Sequence, residues 1–150
     1  MRKTAYDIPR QSIGHASFPL DDTIPQISEG TQFFSQAYTP STANCDLYIY
    51  CSAGIRERTN VADDVGMALF ISDQTDALRV VTGFMQGYGN GELLHLYHKM
   101  ASWGVSAKTF SLRASGTNAI NYQSKYNSYP VQKYSAAASG TLFIIEEVST

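Results

Sequence analysis

Apolar and polar residues alternate strictly between Asn44 and Gly54. Small or apolar residues occupy positions 45, 47, 49, 51 and 53, whereas Asp46, Tyr48 and Tyr50 lie between them. A period of two places successive side chains on opposite faces of a strand. The segment is therefore predicted to be an antiparallel strand with one buried face and one exposed face, which carries Tyr48 and Tyr50.

Similar strand patterns follow along most of the chain. In Val65–Ser72 both alternating sets are largely apolar, which predicts a strand covered on both sides. Further strands are predicted, in chain order, at Thr31–Thr39, Ala77–Thr82, Glu92–Ala101, Ser106–Ala114, Thr117–Tyr122 and Thr141–Val148. Turn-forming residues separate these segments, and none has a convincing helical period. About eight short strands at this spacing predict an all-β sandwich or barrel.

The core between the two sheets is expected to come from the apolar positions of four of these strands. The residues expected there are Leu47, Ile49, Leu69, Ile71, Phe110, Leu112, Leu142 and Ile144.

Composition limits the classes of protein that remain. The 150 residues fit one domain, and the net charge of −2 gives no support to a nucleic-acid binder, which needs a concentrated basic face. The chain has no apolar run long enough for a membrane span. Neither nucleic acid nor a membrane is therefore expected as a partner.

Residues 1–17 differ from the rest of the chain. They lack periodicity, contain Pro9 and Gly14, and carry three basic residues against one acidic residue. We interpret them as an extended N-terminal arm that precedes a domain of residues 18–150, a disordered tail being the alternative. A partner would contact the arm through Arg2, Lys3, Ile8 and Arg10.

The residues that could carry chemistry do not form a recognisable catalytic pattern. Cys45 and Cys51 lie on one predicted strand, roughly 20 Å apart at 3.3 Å per residue, which predicts two buried free thiols and assembly in a reducing cytoplasm. His95 and His98 would lie on opposite faces of another strand. The aspartates fit turn positions, and the chain has no GxSxG motif. We expect no enzyme activity, no cofactor and no metal site.

A tyrosine-rich segment, AINYQSKYNSYPVQKY, extends from Ala119 to Tyr134. Tyrosine among small polar residues is typical of adaptable recognition loops and also suits the stacking of sugars. One interpretation is a recognition loop, and the other is a long connection packed on its own domain. The tyrosines concerned are Tyr122, Tyr126, Tyr129 and Tyr134.

Four segments together resemble a known family. They are FPLDDTIPQISEGTQ at Phe18–Gln32, ALFISDQTDAL at Ala68–Leu78, KTFSLRASGT at Lys108–Thr117 and SGTLFIIEEV at Ser139–Val148. In this order they resemble the small jelly-roll domains of tailed-phage virion proteins, which occur on fibre tips and in trimers that decorate capsids. The resemblance implies a jelly-roll-like antiparallel β-sandwich and a homotrimer with Tyr48 and Tyr50 at its interface.

The resemblance and the predicted arm together favour a capsid decoration (cement) protein that stabilises the head shell. It would lie on the capsid surface of the virion, after assembly in the host cytoplasm, and its arm would contact the major capsid protein. The alternative is a receptor-binding knob of a tail or head fibre that recognises host-surface glycans.

Overall fold

The computed structural model describes residues 1–8, 11–12, 16–19, 21–57, 63–85, 91–116, 120–122 and 142–150. Within these ranges there is no helix, and the strands form two antiparallel sheets. The strands are β1 (Arg2–Asp7), β2 (Gln11–Ser12), β3 (Thr31–Tyr38), β4 (Cys45–Glu57), β5 (Asp63–Ile71), β6 (Arg79–Met85), β7 (Gly91–Ala101), β8 (Lys108–Gly116), β9 (Ile120–Tyr122) and β10 (Leu142–Ser149).

The long strand β4 organises the larger sheet. Strand β7 pairs with one of its edges. On the other edge β10 pairs with its first part and β9 with its last residues. Strand β1 lies outside β10, and β2 lies outside β9, which gives six strands in all. The smaller sheet has the order β3, β8, β5, β6.

The pairing is that of a jelly roll. Strand β1 pairs with β10, β3 with β8, β4 with β7, and β5 with β6. These nested antiparallel pairs are those of a long hairpin that has been rolled so that its halves form two facing sheets. The predicted all-β sandwich is confirmed, and all eight predicted strands are present with shifts of a few residues at their ends.

Strand β5 is buried on both faces, as its sequence predicts. One face packs into the core between the sheets, and the other is covered by residues that precede β3. Phe18 packs there against Ala68 and Phe70, with its ring directly over Gly66. Gly30 has a φ of 64°, and any side chain at that position would collide with the Phe18 ring.

Two of the segments that carry the family resemblance bind each other. The Ile27 amide donates to the Thr75 carbonyl at 2.8 Å, and the Ala77 amide donates to the Pro25 carbonyl at 2.9 Å. The Gln26 side chain also donates to Asp76 at 2.8 Å. These motif residues therefore hold the covering segment against the smaller sheet.

The core contains six of the eight residues expected in it, but the assignment for the last strand is wrong. Leu142 and Ile144 are half-buried on the outward face of β10, whereas Phe143 and Ile145 are fully buried. Residues directly opposite each other in an antiparallel pair share a face. Ile145 lies opposite the buried Ile49 and is therefore also directed inward.

The interpretation of residues 1–17 as an arm outside the domain is also wrong for the described residues near the N-terminus. Strand β1 pairs with β10 along its whole length, and Ile8 joins the core with 4% of its surface exposed. Beyond β1, Gln11 and Ser12 pair with β9, which belongs to the same sheet. The N-terminal strand is therefore part of the sandwich, and its alternate side chains are directed inward.

Candidate functional site

The outward face of the larger sheet carries several large side chains that no described part of the chain covers. We call it the tyrosine face. It consists of Lys3, Ala5, Asp46, Tyr48, Tyr50, Ser52, Leu93, His95, Tyr97, Lys99, Leu142, Ile144 and Glu146.

An apolar row crosses the middle of the tyrosine face. The register places Ala5 opposite Ile144, Ile144 opposite Tyr50, and Tyr50 opposite Tyr97. The Tyr50 and Tyr97 rings lie 5.0 Å apart between centroids and are 40% and 45% exposed. Leu93, nearer the start of β7, is 54% exposed. The row therefore leaves a substantial apolar area in contact with solvent.

Ion pairs border the apolar row on one side. Lys3 Nζ lies 2.9 Å from Glu146, and Lys99 Nζ lies 2.7 Å from Asp46. Lys99 Nζ also lies 5.3 Å from the centroid of the Tyr48 ring. The hydrogen bond to Asp46 raises the pKa of Lys99, with Tyr48 adding to the effect. These four charges are compensated within the chain.

A shallow groove of about 210 Å³ runs beside Tyr50 on the tyrosine face. His95, Tyr97, Leu142 and Ile144 also line it. Desolvation, followed by the proximity of Tyr97, raises the pKa of Tyr50 above the ordinary phenol value. The groove and the apolar row provide a shaped apolar surface. The described residues around them do not form a recognisable catalytic arrangement.

The described residues predicted to contact a capsid from an arm lie within the folded sandwich. Arg2 is directed inward and lies 3.4 Å from the carboxylate of Glu147. Lys3 lies on the tyrosine face, and Ile8 is buried. These three residues therefore do not form a free arm, and their contact with a capsid stays a prediction. Arg10 lies outside the described residues.

Most of the tyrosine-rich segment lies outside the described residues. The backbone of Tyr122 pairs with Gln11 and with Ile55. Tyr126, Tyr129 and Tyr134 lie outside the described residues. The recognition loop stays a prediction.

The cysteines and histidines lie where the strand patterns predict. Cys45 and Cys51 are buried and free, and burial raises the pKa of the Cys51 thiol to about 12. His95 is exposed on the tyrosine face, whereas His98 is directed inward and half-buried. Desolvation, followed by the charge of Arg79, lowers the pKa of His98.

The described residues contain neither a metal-binding cluster nor a membrane-spanning helix. No three His, Cys, Asp or Glu residues lie close enough together there to hold a metal ion. None of the described segments forms a helix that is long and apolar enough to cross a membrane.

Sequence reasoning found Tyr48 and Tyr50 but missed Tyr97 and Ile144 of the apolar row. Tyr97 lies on β7, where Leu94 and Leu96 alternate with exposed residues, and this alternation could have placed it. Ile144 belongs to a run of four apolar residues, in which no alternation is present. Only the pairing of distant strands brings these side chains to the same face.

Comparison with known proteins gave no relative: no protein family matches the sequence, and no curated protein is significantly similar to it.

Proposed function

We propose that this chain is a structural protein of a tailed-phage virion, which forms a homotrimer through the tyrosine face and decorates the capsid surface. The observation that carries the proposal is the exposed apolar row on a jelly-roll sandwich. The sequence resemblance supplies the virion setting.

The composition of the tyrosine face supports its burial between copies of the chain. Protein interfaces combine an apolar, aromatic centre with a polar rim. Tyr50 and Tyr97 form such a centre, and the pairs Lys3–Glu146 and Lys99–Asp46 form part of the rim. Since these charges are already paired within the chain, association leaves none of the four without a partner.

A decoration protein stabilises the head shell by binding only the assembled state, which shifts the assembly equilibrium by mass action. Three linked copies add avidity to each single contact. The expected partner remains the major capsid protein. Because the N-terminal strand is folded into the sheet, the contact would use surfaces of the sandwich outside the tyrosine face. The two buried free thiols agree with assembly in the reducing host cytoplasm.

The alternative is a receptor-binding knob on a tail or head fibre. The folded position of β1 favours it, because the argument for decoration relied in part on a free arm that reaches across neighbouring capsid subunits. A knob needs only a trimeric sandwich and a connection to a fibre chain.

Light scattering tests the trimer. At micromolar concentration we expect a mass three times that of the 16.5 kDa chain. Tyr97→Glu should yield monomers, because it introduces like charges into the apolar centre of the interface. Val105→Glu, at an exposed turn position outside the tyrosine face, should remain trimeric. A wild-type monomer would contradict the proposal.

Immunogold electron microscopy of intact virions tests the location. Labelling over the head supports decoration, and labelling confined to fibre tips supports the knob. An absence of label from virions, with the protein present in infected cells, would exclude both.

A further inference from the structure

A cleft of about 570 Å³ lies on the opposite side of the molecule, on the outward face of the smaller sheet. Its floor is formed by Gly66 of β5 and Thr82 of β6, which lie opposite each other in the sheet. The wall that faces the strands is formed by Phe18, Pro19, Asp21, Thr23, Ile24 and Pro25. This volume is within the range of about 300–1,000 Å³ that is usual for small-molecule sites.

Local structure explains why the cleft stays open. Gly66 has no side chain, and the Phe18 ring that packs over it is held by a hydrogen bond from the Phe18 amide to Ser115 at 2.7 Å. Beyond it, the chain turns at Asp21, whose carboxylate accepts hydrogen bonds from the Thr23 amide at 2.9 Å and the Thr23 hydroxyl at 2.5 Å. These hydrogen bonds fix the turn within the segment that forms the wall of the cleft.

The lining combines hydrogen-bonding groups with apolar walls. The carboxylates of Asp21 and Asp64 and the hydroxyl of Thr82 supply the polar side. Ile24 and Val80 line the apolar side. Next to the cleft, directly opposite Asp64 in the sheet, the ring of Phe84 is 53% exposed.

We propose that this cleft binds a neutral pyranose unit of a saccharide. Sugar hydroxyls donate hydrogen bonds, and ionised carboxylates accept them strongly. The C–H face of a pyranose ring packs on apolar and aromatic side chains, for which Ile24 and Phe84 are available. The Thr82 hydroxyl can both donate and accept, whereas the Thr23 hydroxyl, which donates to Asp21, is available as an acceptor.

The charge of the cleft selects among sugars. Asp21 and Asp64 are the charged residues in the described lining, and no basic residue accompanies them. Hydrogen bonds from Thr23 lower the pKa of Asp21, which keeps it ionised. Acidic sugars such as sialic or glucuronic acid are therefore repelled, whereas neutral hexoses are not. This inference does not depend on the tyrosine face, which lies on the other sheet.

Saturation-transfer difference NMR of the full chain tests the proposal. The probes are methyl α-glucoside, methyl β-galactoside and N-acetylglucosamine, with sialic acid and glucuronate as acidic sugars and Nα-acetyl-lysine methylamide as a cation. We expect saturation transfer to at least one neutral sugar and none to the acidic sugars. Binding of the lysine derivative alone would overturn the proposal in favour of a basic side chain of a protein partner.

Variants locate the site. Asp64→Asn should weaken the binding of the neutral sugar by about tenfold, the effect of losing one charge-assisted hydrogen bond. Thr82→Tyr should abolish binding by filling the floor, with the melting temperature as the test that the variant is folded. The control Asp22→Asn also removes one negative charge, from a residue next to the cleft but outside its lining. This variant should bind the neutral sugar as the wild type does. An absence of binding to every neutral sugar, or binding that both cleft variants retain, would overturn the proposal.

Discussion

Glu147 is a carboxylate buried at one end of the sandwich, with 3% of its surface exposed. The Tyr38 hydroxyl donates to it at 2.5 Å, the Ser41 amide donates at 3.0 Å, and the Ser41 hydroxyl also donates. Arg2 lies 3.4 Å away and supplies a positive charge. A buried charge is tolerated only when it is paired and hydrogen-bonded in this way. Glu147 thereby connects β1, β10 and the loop after β3.

Glu147→Gln should lower the free energy of unfolding by about 1–3 kcal/mol, because the amide has only one acceptor oxygen and leaves buried donors unsatisfied. Glu146→Gln is the matched control. Glu146 forms a partly exposed pair with Lys3, so its replacement should cost less than about 1 kcal/mol. Urea unfolding of the two variants measures the difference. Equal losses would mean that Glu147 is accessible to water.

The same carboxylate should make the fold sensitive to acid. Burial raises the pKa of Glu147, but hydrogen bonds from Ser41 and Tyr38, with the charge of Arg2, outweigh it and lower the pKa below the ordinary value of 4.5. A lowered pKa in the folded state gives stability that is present above pH 4.5 and is lost as the pH falls through the folded value. Unfolding followed between pH 6 and pH 2 should therefore show a shallower acid decline for Glu147→Gln than for the wild type. Parallel declines would contradict this assignment.

Among the strands, those with a clear period were predictable and those without one were not. The alternation in β4 correctly identified its buried face, and the apolar faces of β5 correctly indicated double coverage. In β10 four apolar residues in succession fit either face, and the acidic Glu147 is an unexpected residue for the buried face. The inward direction of the Glu147 side chain depends on its contacts with Arg2, Tyr38 and Ser41, which are distant in sequence.

The two neighbouring isoleucines of β10 provide a matched test of this correction. Ile145→Ala should cost about 2–5 kcal/mol, because Ile145 is fully buried between the sheets. Ile144→Ala removes the same atoms from the tyrosine face, and at the same protein concentration its cost should be less than half as large. Urea unfolding compares them. The opposite order would restore the assignment made from the sequence.

Strand β1 was missed because two of its three inward positions, Arg2 and Thr4, are polar. Tyr6 at the third position and Ile8, which follows the strand, pack against the core. An arm of this composition cannot be distinguished from an edge strand until its partner β10 is known. The pairing is a property of the whole sheet and not of the N-terminal sequence.

Ile8→Ala should therefore destabilise the protein by about 2–5 kcal/mol, as large-to-small changes in a core do. The control is Asp7→Asn, at an exposed position at the end of β1, which should change stability by less than about 0.5 kcal/mol. Thermal unfolding of both variants is the measurement. If Ile8→Ala unfolds as the wild type does, residues 1–8 form a dispensable arm after all.

The outward faces of the two sheets differ in how they are covered. The segment from Phe18 to Gly30 covers part of the smaller sheet and is held there by Arg113, whose side chain donates to the carbonyls of Glu29 and Gly30. No described segment covers the tyrosine face of the larger sheet. A trimer built on that face would leave the cleft at Asp64 open to solvent. Self-association and saccharide binding would therefore use opposite sides of one sandwich.

Association through the tyrosine face should make thermal stability depend on protein concentration. Unfolding of a trimer releases three chains, so mass action raises the melting temperature as the concentration rises. Scanning calorimetry from 1 to 100 μM should show this rise for the wild type. Tyr50→Glu should show none, because a carboxylate in the apolar row opposes association. Phe84→Glu, an equally drastic change at an exposed ring on the other sheet, should retain the dependence. A wild-type melting temperature that is independent of concentration would show that the apolar row is exposed in the working protein, and the homotrimer would have to be abandoned.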